Sequence, residues 1–303
     1  MHASEGTTDC LHVEDSAKRL LESIDIRCPD DLFANFNEQP HPAYAAESLD
    51  KPGLETWRQR WRLTLPNGTH LYLKRFVQPP SSSRRAFRHL APHVRSLAGL
   101  EAYWMRRLRR SGIPTIVPIA WTEQLDVQRR KEQRSREQRS AILMHAVPGQ
   151  SLEAWCAKPA VALAVDREDV LRQVAVLASR LHGLGLFHRD LYLSHIFYER
   201  PTQIASEAAR TDEPMADVHL IDLTRMVEDR PGALRRRIKD LAALNHSTPV
   251  ELVSNAQRVR WLKLYLQTPK LTPQYRRLLY RVVGRTASMK RHDRKRQRRL
   301  AVD

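Results

Sequence analysis

The sequence predicts an α+β fold in two lobes, a small antiparallel β-sheet followed by a mainly helical part. Three observations carry this. Residues 57–76 read WRQRWRLTLPNGTHLYLKRF, where Trp61, Leu63 and Leu65, then Leu71 and Leu73, alternate with polar residues around Pro66-Asn67-Gly68. That is a β-hairpin with one apolar face. From Val170 to Leu181 the apolar residues recur at helical spacing instead, and a Pro148-Gly149 break separates the two patterns. With 303 residues, 42% of them hydrophobic, the chain can bury a core in each lobe.

Residues 1–50 form an N-terminal extension, with a short helix around Ser16 to Ile24 and an irregular Asn/Pro stretch from Asn35 to Pro42; weak order is expected there. Residues 51–147 make the β-rich lobe. A polar loop from Gln78 to Ser83 leads to a helix over Leu97 to Arg110, which carries Leu100, Tyr103, Trp104 and Leu108 on one side and is stopped by Gly112 and Pro114. Strands follow at Val117 to Trp121 and Ser140 to Ala146. Between them, residues 127–140 (VQRRKEQRSREQRS) mix charges without apolar periodicity and read as a solvated hairpin extension, an anion-binding arm being the other reading. Residues 148–289 make the helical lobe. Asp166 or Asp169 caps a helix whose Val170, Leu171, Val174, Leu177, Ala178 and Leu181 form an apolar stripe ending at Gly183. Short apolar segments at Gly185 to Phe187 and Ile196 to Tyr198 and a strand at Val218 to Leu223 come next, with Pro201 to Ala216 as a surface insertion. Helices continue from Leu234, and residues 290–303 are a basic tail. A cleft between two lobes is where a ligand is expected.

Composition narrows the function classes. Lys and Arg number 51 against 34 Asp and Glu, a formal charge of +17, which calls for an anionic partner: phosphate, nucleic acid or lipid headgroups. Cys10, Cys28 and Cys156 are too few and too scattered for a disulfide framework or a structural zinc site, so a reducing compartment is expected. Met1 to Asp15 carries Glu5, Asp9, Glu14 and Asp15 and has neither a basic n-region nor an apolar core, which argues against a secretory signal. Apolar runs such as Ala160 to Val165 fall far short of the ~20 residues needed to cross a bilayer. The expectation is a cytoplasmic protein whose membrane contact, if any, is peripheral.

The strongest motif is FHRDLYLSHIFY, residues 187–198, which follows the amphipathic helix and resembles the His-Arg-Asp-Leu catalytic loop of the kinase superfamily. Phosphoryl transfer requires that the acceptor hydroxyl be placed in line and that phosphate charge be neutralised. Asp190 is the candidate to accept the hydroxyl proton; a turn or capping role is its plain alternative. His188 and Arg189 complete the catalytic set as polar braces of the turn. In HLIDLTR, Asp222 follows an apolar strand at the position of the kinase magnesium ligand, suited to a hard cation that takes oxygen ligands. Lys74, in LYLKRF, corresponds to the strand lysine that contacts the nucleotide phosphates, and Glu101, the one acid between Lys74 and Pro114, is its candidate partner. His145 and Ala146, at the strand end before the linker, are further candidate nucleotide contacts, and Gly53 is the one glycine available to cover phosphate. ATP and Mg²⁺ are the implied cofactors.

The departures are equally informative. No Gly-x-Gly-x-x-Gly loop precedes Lys74, Leu223 and Thr224 replace the Phe-Gly of protein kinases, no Ala-Pro-Glu follows, and Tyr192 stands where protein-serine kinases keep lysine. A protein substrate is disfavoured. His195 occupies the place of the metal-binding Asn; it contacts a second metal or its water, or organises the loop. HRDLYLSHIF, LIDLTR and RRIKDLAALNHS together resemble the lipopolysaccharide kinase family, over about residues 50–265. The resemblance implies an ATP-dependent, protein-kinase-like enzyme that phosphorylates Kdo or heptose of the lipopolysaccharide inner core, with Asp190 as base, Asp222 as metal ligand, Lys74 on the nucleotide and Asp240 as a bracing carboxylate. Its acceptor is an anionic glycolipid or sugar. The seven Lys and Arg between Lys290 and Arg299 then suit an anionic inner-leaflet surface, at about 1 kcal/mol each, or form a solvated tail. Competing readings are a soluble kinase of the aminoglycoside phosphotransferase type and a nucleotide-binding pseudokinase. No specific nucleic acid is expected, because no aromatic-interleaved basic motif is present.

Overall fold

The computed structural model of the chain is described for residues 10–36, 41–50, 56–87, 90, 93–126, 136–158, 167–199, 218–229 and 231–300. It divides into two compact units: the chain up to Ser111 with Ile116–Ala146, and Gly112–Thr115 with the chain from Val147 onward.

The first unit is built on a six-stranded antiparallel sheet in the order β1-β5-β6-β4-β3-β2. Its strands are β1 (Cys10–Val13), β2 (Ala45–Ser48), β3 (Arg58–Thr64), β4 (His70–Val77), β5 (Pro118–Asp126) and β6 (Arg136–His145). The expected hairpin is β3–β4, in a register that places Trp61 opposite Leu73 and Leu63 opposite Leu71. Gly68 closes its turn at φ +80°, a left-handed conformation open to glycine, and its N–H donates to the Leu65 carbonyl at 2.9 Å. The apolar face packs against Leu21, Ile24, Ile26 and Leu32 of the N-terminal segment, which includes helix α1 (Lys18–Ser23).

For residues 10–36 and 41–50 that packing corrects the expectation of weak order in the extension; residues 1–9 and 37–40 lie outside the described residues. Its apolar residues complete the core, β1 and β2 are the two edges of the sheet, and Arg75 ties the segment down. Only 4% exposed, the Arg75 guanidinium donates to the carbonyls of Leu32 (2.6 Å) and Ala34 (2.8 Å) and lies over the Phe36 ring. Burial lowers its pKa to about 10.

Helix α2 (Leu97–Arg110) packs against β4, β5 and β6, burying Leu100, Trp104, Met105 and Leu108 together with Glu101. Its N-terminus is capped three times: by Ser96 Oγ on Gly99 N, by Ser140 Oγ on Ala98 N and by the Glu137 carboxylate on Leu97 N. A carboxylate at this end meets the positive pole of the helix and satisfies an orphan donor. The solvated extension expected over 127–140 therefore does not include its last residues: Glu137 and Ser140 are buried in β6, and residues 127–135 lie outside the described residues.

The second unit contains β7 (Gln150–Ser151), α3 (Leu152–Cys156), α4 (Arg167–Gly183), β8 (Leu186–Phe187), β9 (Ile196–Tyr198), β10 (Val218–Leu220), β11 (Val227–Glu228), α5 (Ala233–Ser247), α6 (Asn255–Tyr265) and α7 (Pro273–Leu300). Two small sheets, β10-β9-β7 and β11-β8, frame the loop of the HRD motif, while α4 packs on α6 and α5 on α7. Asp169 lies inside the first turn of α4, where it accepts from Gln173 Nε2; Asp166 and the insertion at 201–216 lie outside the described residues. The strand expected over 218–223 ends at Leu220, because the backbone turns left-handed at Asp222. Basic residues 290–300 continue α7.

Replacing Arg75 by Met strands the buried Leu32 carbonyl and removes the tie to the Ala34 carbonyl, and urea unfolding is expected to show a loss of about 2–4 kcal/mol. The same change at exposed Arg27 should stay within about 0.5 kcal/mol.

Candidate active site

Asp240 of α5 organises the loop between β8 and β9. Its carboxylate is fully buried, and Oδ2 accepts from His188 N at 2.8 Å and from His182 Nε2 at 3.3 Å, while Tyr265 OH lies 2.8 Å from His182 Nδ1. With Nε2–H donated to Asp240, His182 accepts the tyrosine proton at Nδ1. The loop is pinned a second time where Leu193 N donates to Ser247 Oγ at the end of α5.

His188 is fully buried, and its Nε2–H donates to the Ile221 carbonyl at 2.9 Å. Burial holds it below the usual histidine range, with Asp240 opposing that shift. His188 thereby links the HRD loop to the segment carrying Asp222. Ile221 N donates back to the His195 carbonyl at 3.0 Å. Arg189 and Asp222 both adopt left-handed backbone, at φ +68° and +57°. In residues other than glycine such conformations carry roughly 1–3 kcal/mol of strain, held here by the hydrogen bonds on either side.

Asp190, 17% exposed, is flanked by two cations: Arg225 NH1 at 2.9 Å from Oδ2 and Lys239 Nζ at 3.5 Å from Oδ1. Its carbonyl accepts from Tyr192 N and from His195 Nδ1, both at 2.8 Å. With Nδ1–H so used, the Nε2 of a neutral His195 presents its lone pair 3.7 Å from Asp222 Oδ2. Thr224 Oγ1 donates to Asp222 Oδ1 at 3.2 Å. Asp222 and His195 thus offer one hard oxygen donor and one imidazole nitrogen to a cation. Among the described residues no three His, Cys, Asp or Glu side chains gather into a metal-binding cluster. The Asp222 carboxylate fits Mg²⁺, which is held by one or two carboxylates and completes its shell with phosphate oxygens and water, whereas imidazole is a poor direct ligand for so hard a cation and His195 suits a water of that shell.

In the first unit, Lys74 Nζ lies 2.9 Å from both carboxylate oxygens of Glu101, which is fully buried on α2. Lys74 shares its strand face with Tyr72, away from Leu71 and Leu73. The N–H groups of His145 and Ala146 are taken by the carbonyls of Val117 and His70. Burial, reinforced by the charge of Arg109, keeps His145 below the usual histidine range. Gly53 lies outside the described residues.

Within each unit the sequence-derived residues come together: Lys74 with Glu101 in the first, and His188, Arg189, Asp190, His195 and Asp222 in the second. Sequence reading missed the two cations on Asp190. Arg225 ends LIDLTR and Lys239 precedes Asp240, so both stood in motifs whose carboxylates drew the attention.

The fold is the protein-kinase-like α+β fold. The structure of WaaP in complex with acyl carrier protein superposes with a TM-score of 0.57 at 21% identity, covering 94% of this chain and 98% of that one. The Rio2 kinase–ADP/Mg²⁺-phosphoaspartate complex from Chaetomium thermophilum aligns with a TM-score of 0.41 at 16% identity, over 80% and 72% of the two chains. The model of the lipopolysaccharide kinase (Kdo/WaaP) family matches residues 53–265, and the chain belongs to that family. Among curated relatives, the lipopolysaccharide core heptose(I) kinase WaaP of Pseudomonas aeruginosa is 25% identical over 169 residues, 54% of this chain; the match spans 58% of that relative's length.

The neutral, buried His188 has a pH consequence. Its proton affinity is lower folded than unfolded, so the unfolded chain binds more protons below about pH 6.5 and stability falls as pH drops through that range. In His188→Gln, whose amide can still donate to Ile221, urea unfolding at pH 7.5 and 5.5 should show a smaller stability difference than in the native protein.

Proposed function

We propose that this chain transfers the γ-phosphate of ATP to a sugar hydroxyl, of Kdo or heptose, in the lipopolysaccharide inner core. The observation that carries the reading is the HRD loop itself. Asp240 and His188 hold it so that the Asp190 carboxylate is presented beside two cations while His195 and Asp222 face each other across 3.7 Å. Family membership supplies the class of acceptor.

In this reading Asp190 accepts the proton of the acceptor hydroxyl as the oxygen attacks phosphorus. Arg225 occupies Oδ2 at 2.9 Å, so the incoming hydroxyl takes Oδ1 or displaces the exposed guanidinium. Held by Asp222, with His195 on a water of its shell, Mg²⁺ would neutralise charge on the β- and γ-phosphates. Lys74, kept in one orientation by Glu101, contacts the α- and β-phosphates. The remaining architecture is assigned accordingly, residues 51–147 as the N-lobe and 148–289 as the C-lobe. The enzyme works in the cytoplasm, and the exposed basic face of α7 makes peripheral contact with the anionic inner leaflet.

The test is label transfer from γ-labelled ATP to inner-core glycolipid in the presence of Mg²⁺. Asp190→Ala is expected to lower kcat by about 10²–10⁴-fold. Asp222→Ala should remove Mg²⁺-dependent turnover, and Lys74→Ala should raise KM for ATP. Undiminished transfer by purified Asp190→Ala would overturn its assignment as the base.

A further inference from the structure

Beside the HRD loop the second unit contains a cavity of about 670 Å³ lined by Arg189, Arg235, Arg236, Lys239, Arg281 and Arg285. These cations come from three separate segments: the loop, the first half of α5, and the middle of α7. Among the described lining residues the one carboxylate, Asp229, is already engaged by Gly232 N at 2.9 Å and by Arg236. Six positive groups around one concavity repel each other, and a bound anion relieves that repulsion. Burial lowers the pKa of both Lys239 and Arg189; neighbouring cations add to each shift, and Asp190, with Asp240 in the case of Arg189, opposes it. An ordinary solvated basic face is convex and spreads its charges. This one gathers them.

The position of the cavity says which anion. Lys239 lines it and also lies 3.5 Å from Asp190 Oδ1, and Arg189 precedes Asp190 in the chain. Neither Asp222 nor His195 lines it, so it is distinct from the carboxylate assigned to the nucleotide's metal. Its volume lies in the range that encloses a ligand of several hundred daltons.

Building on the sugar-kinase reading, we propose that this cavity is an acceptor subsite, binding carboxylate or phosphate groups already present on the sugar that bears the reacting hydroxyl. Arginine suits either anion through paired N–H donors, and several such contacts fix the sugar's orientation before Asp190 meets its hydroxyl.

Binding is tested apart from catalysis. Deacylated inner-core oligosaccharide is titrated calorimetrically into the full chain without nucleotide. The variants are Arg281→Ala/Arg285→Ala, the charge-keeping Arg281→Lys/Arg285→Lys, and Arg276→Ala/Arg277→Ala as an equal loss of charge on α7 outside the cavity. All four arginines are exposed, and ATP affinity serves as the check on folding. The expected result is a Kd raised about tenfold or more by the first variant, with the lysine pair keeping most of the affinity and the control within about threefold. Phosphatase-treated oligosaccharide distinguishes the anion: weaker binding that no longer responds to Arg281→Ala/Arg285→Ala supports the proposal with phosphate as the ligand, and unchanged binding that still responds supports it with carboxylate. Unaltered affinity in the first variant, equal loss in the control, or no binding by the native chain would overturn the proposal. So would loss of binding to phosphatidylglycerol vesicles with oligosaccharide affinity intact, which would make this a membrane-facing patch. A native chain that binds the oligosaccharide through Arg281 and Arg285 but transfers no phosphate would retain the subsite and remove the kinase reading.

Discussion

Asp240 is fully buried and accepts hydrogen bonds from the backbone of His188 and the ring of His182. A carboxylate out of contact with water is strongly unfavourable unless it is hydrogen-bonded, so the two donors on Oδ2 and the carboxylate fix one another's positions. From this anchor the dependencies run outward. His188 reaches the Ile221 carbonyl, Ile221 reaches the His195 carbonyl, and His195 reaches the carbonyl of Asp190. The two left-handed residues, Arg189 and Asp222, sit inside that circuit, where surrounding bonds hold backbone conformations that would relax in isolation. The acidic groups proposed to perform chemistry are therefore positioned by an acidic group that is wholly buried.

The first unit uses the same device with opposite sign. Arg75 is a buried cation whose donors are matched by two main-chain carbonyls, and it joins the N-terminal segment to the central strand of the sheet. One residue earlier, Lys74 points to the other face and meets Glu101. Adjacent basic residues on one strand thus meet different partners, main-chain carbonyls on one face and a buried carboxylate on the other, because side chains alternate along β-strands.

The fold was legible where periodicity is strong. The β3–β4 hairpin and the bounds of α2 follow directly from alternation, from helical spacing and from the Gly112 and Pro114 stop. The HRD loop was legible because its residue types are densely constrained, and Lys74 and Glu101 because strand alternation and the scarcity of acids left few partners. What escaped were features fixed by contacts distant in sequence. The packing of residues 10–36 depends on Arg75 some forty positions away. Glu137 looked solvated within a charged run and instead caps a helix that begins forty residues earlier. Arg225 and Lys239 acquire meaning only when α5 is brought beside Asp190. Local pattern carries no trace of such pairings.

Helix α7 has one further consequence. Its first half is bound into the unit by Leu278, Val282 and Thr286, and further along Asp293 Oδ2 lies 2.8 Å from His246 Nε2 of α5. Beyond it, Arg294, Lys295, Arg298 and Arg299 are exposed and basic. Substitutions over those final turns change the protein's charge without opening its core or moving the HRD loop. Selection can therefore retune how strongly the molecule is drawn to anionic surroundings while its chemistry is inherited intact, two traits carried on one helix yet free to diverge.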